Sequence, residues 1–251
     1  MRTPYLDALR RVLVIHKNKF QQMDTGWSEC ISCDGNCENI NITENTIEDN
    51  TNIGIDVTGN YRTCDYEPKD RTRYAYIADN TVKNCCCDYA SSYGIYVDGA
   101  QHVLIENNTV ENCNGGIEVG AEEPQENPLY ATFDVLVKGN ELRNNAALGQ
   151  TNPGCAFSCG GYGKNLGWVR TVVFRENVCV DNSACENGVQ VSVSKVDGLR
   201  VENNSFETSF ESSLVWYSFT DSYTKNVSFR DNRCTFSGTV SDGFQAGRIF
   251  R

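Results

Sequence analysis

Apolar and polar positions alternate with period two in short bursts along this chain, and each burst ends in the same way. The template is apolar-x-apolar-x-x-Asn-x-apolar. It is filled by Leu13, Ile15, Asn18 and Phe20, by Ile40, Ile42, Asn45 and Ile47, and by Ala75, Ile77, Asn80 and Val82. It returns at Val103, Ile105, Asn108 and Val110, and at Val135, Val137, Asn140 and Leu142. The last three copies are Val172, Phe174, Asn177 and Cys179; Leu199, Val201, Asn204 and Phe206; and Val227, Phe229, Asn232 and Cys234. Period-two alternation marks strands that bury one face. Asn holds its slot in all eight copies, while the spacing between successive Asn residues runs 27, 35, 28, 32, 37, 27 and 28. Fixed rungs joined by loops of variable length are the signature of a solenoid. Asn tolerates a left-handed backbone, so it is expected to sit in the sharp bend after each strand. Stacked Asn side chains can also hydrogen-bond from coil to coil.

A second strand with the pattern Gly-Ile-x-Val follows in most coils. It reads clearly at residues 54–57, 94–97 and 116–119, and more loosely at 154–157, 188–191 and 243–246. Its outward positions, Asp56, Tyr96, Glu118, Ala156, Gln190 and Gln245, are expected to form a ladder on one outer face. The predicted fold is all-β, a single-stranded right-handed parallel β-helix of about eight coils over residues 13–251. A β-sandwich would not keep one Asn slot through eight repeats. Residues 1–12 are expected to cap the first coil, with Thr3-Pro4 ahead of Leu6, Leu9 and Leu13 opening a short helix. The sequence closes on Phe250-Arg251 near the apparent start of another strand. That end is expected to be covered by further coils of a longer protein or by another subunit, since an open solenoid end templates strand pairing.

Charge and cysteine content narrow the functions. A net charge of −11 argues against nucleic-acid binding, which needs a basic surface. It also disfavours strongly anionic polysaccharides as direct partners unless a cation bridges them. No apolar run approaches the roughly 20 residues of a membrane span. The stretch around Val12–Ile15 is too short for the apolar core of a signal peptide. Thirteen cysteines nevertheless point to an oxidising, secreted or cell-surface setting. Cys179 and Cys234 fill apolar slots and are expected in the core. Cys85 and Cys113 share one slot in neighbouring coils, either bonded or stacked. Cys30, Cys33, Cys37 and Cys64 lack a full paired Cys-x-x-Cys set for zinc, so local disulfides are the expected arrangement there.

Three insertions, at residues 58–73, 120–132 and 160–168, leave from equivalent points after the second strand. They are expected to rise as a wall beside the ladder and make a groove, the usual seat of function on a rigid scaffold. The ladder there carries Asp56, Tyr96 and Glu118, with Asp34, Asp98, Glu122 and Glu123 close by. Carboxylates on rungs about 4.8 Å apart raise one another's pKa. The resulting pair of one protonated and one ionised acid is what glycoside cleavage needs. Tyr61, Tyr66, Tyr93, Tyr96, Tyr130, Tyr162 and Trp168 could stack on sugar faces, which makes a polysaccharide or oligosaccharide the natural partner. Plainer readings stand beside these. Asp34-Gly35, Asp98-Gly99 and Asp197-Gly198 recur in register as turn pairs. Glu118, Glu122 and Glu123 also read as solvated surface acids, and His102 as a solvated turn residue.

The run GIYVDGAQHVLIENNTVENCNGGIEVGAEE resembles the right-handed β-helix proteins of the pectin-lyase-like superfamily. The resemblance implies a carbohydrate-active, mostly secreted protein. Within that superfamily the chain is similar to β-helix β-xylosidase-like hydrolases, which carry an Asp just after a Gly-Ile-x-Leu strand and a Glu after the same strand of the next coil. That likeness implies a retaining glycoside hydrolase with Asp98 as nucleophile and Glu122 or Glu118 as acid/base. Asp56, Tyr96, Tyr93, Tyr130 and Trp168 would be substrate contacts. The chain departs from that pattern at Gly99, where the family tends to have a second Asp, and in a one-position displacement of the Glu. Lyases of the superfamily imply a second reading, with calcium held by carboxylates and a basic residue as base. The candidates for that base are Lys69, Arg71 and Arg73. A third reading is a non-catalytic carbohydrate-binding or surface solenoid, or a fragment of a larger enzyme.

Overall fold

A computed structural model describes residues 12–123, 130–147, 149–161, 169–184, 188–210, 215–219 and 223–238. The expected N-terminal cap, Tyr162, Trp168 and the 243–246 strand lie outside the described residues. The described chain winds through three sheets of parallel strands. The first sheet stacks eight strands, Leu13–His16, Glu38–Thr43, Arg73–Ala78, Gln101–Glu106, Thr132–Lys138, Val169–Arg175, Val196–Glu202 and Lys225–Arg230. The second stacks the eight short strands that follow each Asn, from Lys19–Gln21 to Arg233–Phe236. The third has seven: Ile31–Cys33, Ile55–Thr58, Tyr93–Asp98, Gly115–Ala121, Phe157–Gly161, Val189–Ser194 and Val215–Phe219. The chain is a right-handed parallel β-helix.

The template residues face inward as the alternation predicts. Ile40 pairs with Ala75 and Ile42 with Ile77, then Val103 with Val135 and Ile105 with Val137, and all are buried. In later coils aromatic rings take over the interior: Phe157 stacks on Phe174 at 4.1 Å between centroids, and Phe174 on Phe206 at 6.4 Å. One coil alone could not bury these faces, so the hydrophobic gain comes only with stacking.

The bend after the first sheet works differently from the sequence expectation. The left-handed residue is the one before each ladder Asn: Lys17, Glu44, Asp79, Asn107, Gly139, Glu176, Asn203 and Asp231 all have φ between 54° and 64°. That kink frees the Asn side chain to point inward. There its Oδ1 accepts both the backbone N–H and the side-chain amide of the Asn one coil earlier. The ladder runs from Asn18→Asn45 to Asn204→Asn232 without a break, with side-chain distances of 2.9–3.1 Å. A second corner repeats the device at shorter range, where Asn145 passes its amide to Asn182 at 2.9 Å.

Two expectations about register and thiols need correction. In the third sheet Glu118 pairs with Ser158 and Ser158 with Ser192, so the outward ladder runs Asp56, Tyr96, Glu118, Ser158, Ser192. Ala156 and Gln190 are fully buried two residues earlier. The Gly at 154 marks the loop, and the strand proper starts at Phe157. The Ile31–Cys33 rung, whose Ser32 pairs with Asp56, was missed because it has no Gly-Ile start. Cys30, Cys33, Cys37 and Cys64 are free thiols, as are Cys85 and Cys113, so the expected local disulfides are not formed. Among the described residues no three His, Cys, Asp or Glu side chains converge as a metal-holding group, so the four thiols do not gather as a zinc set. Cys85 and Cys113 are stacked rather than bonded. Cys179 is buried as expected, whereas Cys234, on the last described coil, is exposed because no described coil packs on it.

Candidate active site on the third sheet

The loops that leave the third sheet differ sharply in length. After Ile55–Thr58 the chain takes residues 59–72 to reach the next strand, and after Gly115–Ala121 it takes residues 122–131. Between them, Tyr93–Asp98 turns into Gln101–Glu106 through Gly99-Ala100 alone. Gly99 has φ +82°, and a Cβ there would lie 2.6 Å from the Gly59 carbonyl, so a side chain is excluded twice over. The Asp-Gly turn reading is therefore right about Gly99, as it is about Gly35 and Gly198, both left-handed. The same tight turn leaves Asp98 on the floor of a gap walled by two longer loops.

Tyr61 leans into that gap from the first loop. Its hydroxyl donates to Asp98 Oδ2 and lies 3.4 Å from Glu122 Oε2. The Glu122 backbone N–H donates to Asp98 Oδ1 at 2.7 Å, and Tyr96 Oη contacts Glu122 Oε1 at 3.3 Å. Asp98 is 1% exposed, while Glu122 stands out in solvent at the strand end. Burial, with the Glu122 charge adding to it, pushes the Asp98 carboxyl up to about 7. Asp56, one coil earlier, is also buried, and Asp98, Glu29 and Glu122 all act on it. Burial first, then the Asp98 charge, raises its pKa well above the carboxylate range, and its Oδ1 has no hydrogen-bond partner among the described residues. Such an orphan acceptor is costly for an ionised group and tolerable for a neutral acid. Burial likewise raises Glu29, with the charges of Glu122 and Asp34 adding to it.

The predicted site residues therefore separate into three groups. Asp98, Glu122, Asp56 and Tyr96 come together. Glu118 lies two rungs from Asp56, 3% exposed, accepting from Ser158 Oγ at 3.0 Å. It lines an open pocket of about 280 Å³ with Ser158, Cys159, Gly160, Gly161, Ser192, Ser194 and Lys195. The Tyr93 and Tyr130 rings are taken up in packing, although the Tyr130 carbonyl accepts from Asn60 Nδ2 beside the gap at 3.3 Å. Tyr93 is buried, its ring packed against Gly115 and Gly154 and its hydroxyl near Cys155 Sγ, so it is a packing residue rather than a surface contact. The Tyr130 ring carries the buried Arg71 guanidinium at 4.3 Å from its centroid. Asp34 sits at the rim, bonded to Thr63. The solvated reading of Glu118 gives way to a buried one, at 3% exposure, and Asp98, which does precede a tight turn, is buried as well. His102, expected in a solvated turn, is a left-handed residue within the Gln101–Glu106 strand, half-buried, stacked on Tyr74 at 4.8 Å and bonded to Asp134 at 2.7 Å.

The candidate lyase bases do not join the carboxylates. Arg73 is tied to the carbonyls of Lys69 and Arg71 and to Asn36, Arg71 is committed to Tyr130, and Lys69 closes a short 3₁₀ turn. The groups acting most strongly on Asp56 and Asp98 are acids, Tyr61 and backbone amides. Sequence reading missed Glu29, which sits in a corner with no repeat signal. It noted Tyr61 only as an aromatic face, whereas it is the hydroxyl that meets the acids.

Comparison with known proteins agrees with this architecture. Residues 63–133 match the family model described as a right handed beta helix region. Over 173 residues the chain is 31% identical to the uncharacterized protein YwoF of Bacillus subtilis (strain 168), an alignment covering 67% of this chain and 35% of that protein. Among solved structures it is similar to the crystal structure of GH136 lacto-N-biosidase from Eubacterium ramulus. The TM-score is 0.44 at 16% identity, over 80% of this chain and 36% of that one. The chain thus spans about a third of the length of either relative.

Proposed function

We propose that this β-helix is carbohydrate-active and that Asp98 and Glu122 are the carboxyl pair of a glycoside hydrolase. One observation carries the reading: two carboxyl groups from adjacent coils meet on a single hydroxyl, that of Tyr61. Two hydrogen bonds sharing one atom hold the carboxyl oxygens within about 6 Å of each other. That separation suits the close pair of a retaining enzyme, roughly 5–5.5 Å, rather than the wider pair that leaves room for water. Tyr61 Oη occupies the place a sugar oxygen would take, and the Tyr61 side chain itself is 40% exposed.

The geometry favours exchanging the roles that the family resemblance suggested. Asp98 keeps its proton to about neutral pH and would protonate the leaving glycosidic oxygen as that C–O bond breaks. Glu122, in solvent at the strand end, would attack the anomeric carbon and form a glycosyl ester. Water, deprotonated by Asp98, would then cleave the ester and return both carboxyl groups to their starting states. Tyr96 steadies Glu122, and Asp56 keeps negative charge next to Asp98 low by staying neutral. An export or surface location suits a polysaccharide substrate and is part of the same proposal.

The test is reducing-sugar release from polysaccharides and aryl-glycosides, with and without calcium, while absorbance of unsaturated product is followed. Wild type is expected to release sugar without that absorbance. Asp98→Asn should lose about a hundred- to ten-thousandfold of the turnover, the range typical of a general acid. Activity should fall as pH rises through about 7, where Asp98 gives up its proton. Calcium-dependent absorbance would move the chain to the lyases. Silence on both, from folded protein, would make it a binding solenoid.

A further inference from the structure

The most exposed large apolar side chain among the described residues is Trp27, at 74%. It is not a loose surface residue. Its ring lies against Tyr89, 4.2 Å between centroids and tilted by 44°. The Tyr89 hydroxyl donates to the carbonyl of Gly26, so the ring that backs Trp27 is tied to the backbone next to it. One face of the indole is packed and the other is left to water. A rigid aromatic held open in this way binds at low entropic cost.

Two residues beyond Trp27 the chain turns inward at Glu29, on its way into the Ile31–Cys33 rung. Glu29 is within electrostatic reach of Tyr89 on one side and of Glu122, Asp34 and Asp56 on the other. Glu29 thus stands between the aromatic pair and the carboxyl cluster, in which the buried Asp56 Oδ1 has no hydrogen-bond partner among the described residues. Asp24 also acts on Tyr89. From Asp24 through Glu29, Asp34 and Asp56 to Asp98 and Glu122, the side chains along this path are all acids, of which Asp56 and Asp98 are the two that keep their protons.

We propose that Trp27 and Tyr89 form a sugar-binding shelf that extends the Asp98–Glu122 site, and that it accepts neutral or amino pyranose units and rejects uronates. The C–H face of a pyranose would lie on the open face of Trp27, with its hydroxyl or ammonium groups turned towards Glu29. A uronate carboxylate in the same place would meet acids alone and lose its hydration without gaining a counter-charge. The inference rests on reading the carboxyl cluster as a sugar-cleaving site, and it deepens that reading by naming the substrate class.

The test uses the full chain on an array of neutral, amino and uronate oligosaccharides, followed by calorimetric titration of the best ligand. Neutral or amino oligosaccharides are expected to bind. Trp27→Ala should weaken the best ligand about tenfold, and Trp27→Phe should recover most of the loss, which a fold defect would not allow. The shelf is overturned if Trp27→Ala binds as wild type does, if uronates alone bind, or if no oligosaccharide binds. The two readings fail separately. Trp27-dependent binding without sugar release removes the hydrolase and keeps the shelf. Sugar release with binding indifferent to Trp27 removes the shelf and keeps the hydrolase.

Discussion

Two parts of this solenoid are built alike and used in opposite ways. The bend between the first and second sheets and the outer face of the third sheet are both columns of stacked polar side chains, one per rung. In the bend every Asn is neutral, and each passes its amide to the next Oδ1 at 2.9–3.1 Å. On the outer face the side chains change from rung to rung, from Asp56 to Tyr96 to Glu118. Two acids are buried there, and one of their oxygens has no partner. A column in which every group is paired adds to stability. A column that holds acids out of water against one another stores chemistry at the expense of stability. The contrast separates what the repeat needs to fold from what one place on it does.

The sharpest way to break the comparison is to damage the paired column. Asn108 accepts from the Asn80 backbone and side chain, and its own amide serves Ile77 O, Glu106 O and Asn140. Asn108→Ala would leave several of these buried groups unsatisfied at about 1–3 kcal/mol each, for a loss on the order of 4 kcal/mol. Denaturant unfolding should show it as a lower midpoint. Sugar release per folded molecule should stay near wild type. A midpoint within experimental error of wild type would mean that the ladder is incidental to stability.

Legibility in the sequence follows the same division. The eight Asn slots and the apolar pairs before them were readable because each rung solves one packing problem identically, so the pattern repeats. The third sheet was readable only where Gly opens the strand, at Gly54, Gly94 and Gly116. A Cβ at Gly116 would lie 2.3 Å from the Ala156 carbonyl, so the glycine records a real close approach. Where the corner is built otherwise, as before Phe157, the register slipped by two residues and Ala156 was given the rung that Ser158 holds. The Asp98–Glu122 pair was visible as neighbours, but the burial of Asp98 was not. Burial comes from the 59–72 loop folding Tyr61 over it, and no periodicity reports how a single loop folds. Glu29 and Trp27 lie between strands, outside any repeat, and only the three-dimensional path of the chain brings them to the acids.

A second prediction reverses the sign of the first. An unfolded Asp titrates near about 3.9, whereas folded Asp98 does so at about 7 and folded Asp56 well above its usual value. The native state therefore binds more protons than the unfolded state above about pH 4. The stability held through these protons is complete below that pH and is lost as pH rises towards 7. Melting temperature should fall over this interval. Asp98→Asn, which removes an acid that must stay buried, should flatten the dependence and stabilise the protein at neutral pH by on the order of 3 kcal/mol, while turnover is lost. Loss of both stability and turnover in Asp98→Asn would show that its hydrogen bonds to Tyr61 and Glu122, rather than its burial, dominate.

The smallest change refines the comparison at one contact. Gly120 faces Asp98 across the rung, and a Cβ on it would lie 2.6 Å from Tyr96 Oη and 2.8 Å from the ring. Gly120→Ala must push the Tyr96 ring aside, and with it the hydroxyl that contacts Glu122 Oε1. The interior columns of Ile95, Ile117 and Val119 lie on the opposite face of the sheet, so the strain should cost only about 1 kcal/mol, the low end for an added methyl in a packed place. Glu122 would lose one of the groups that fix it. Turnover of an aryl-glycoside should then fall by about tenfold, a modest share of what losing a catalytic proton costs. An unchanged rate would place Tyr96 among the packing residues of the third sheet, leaving Tyr61 and the backbone of Glu122 to hold the pair together.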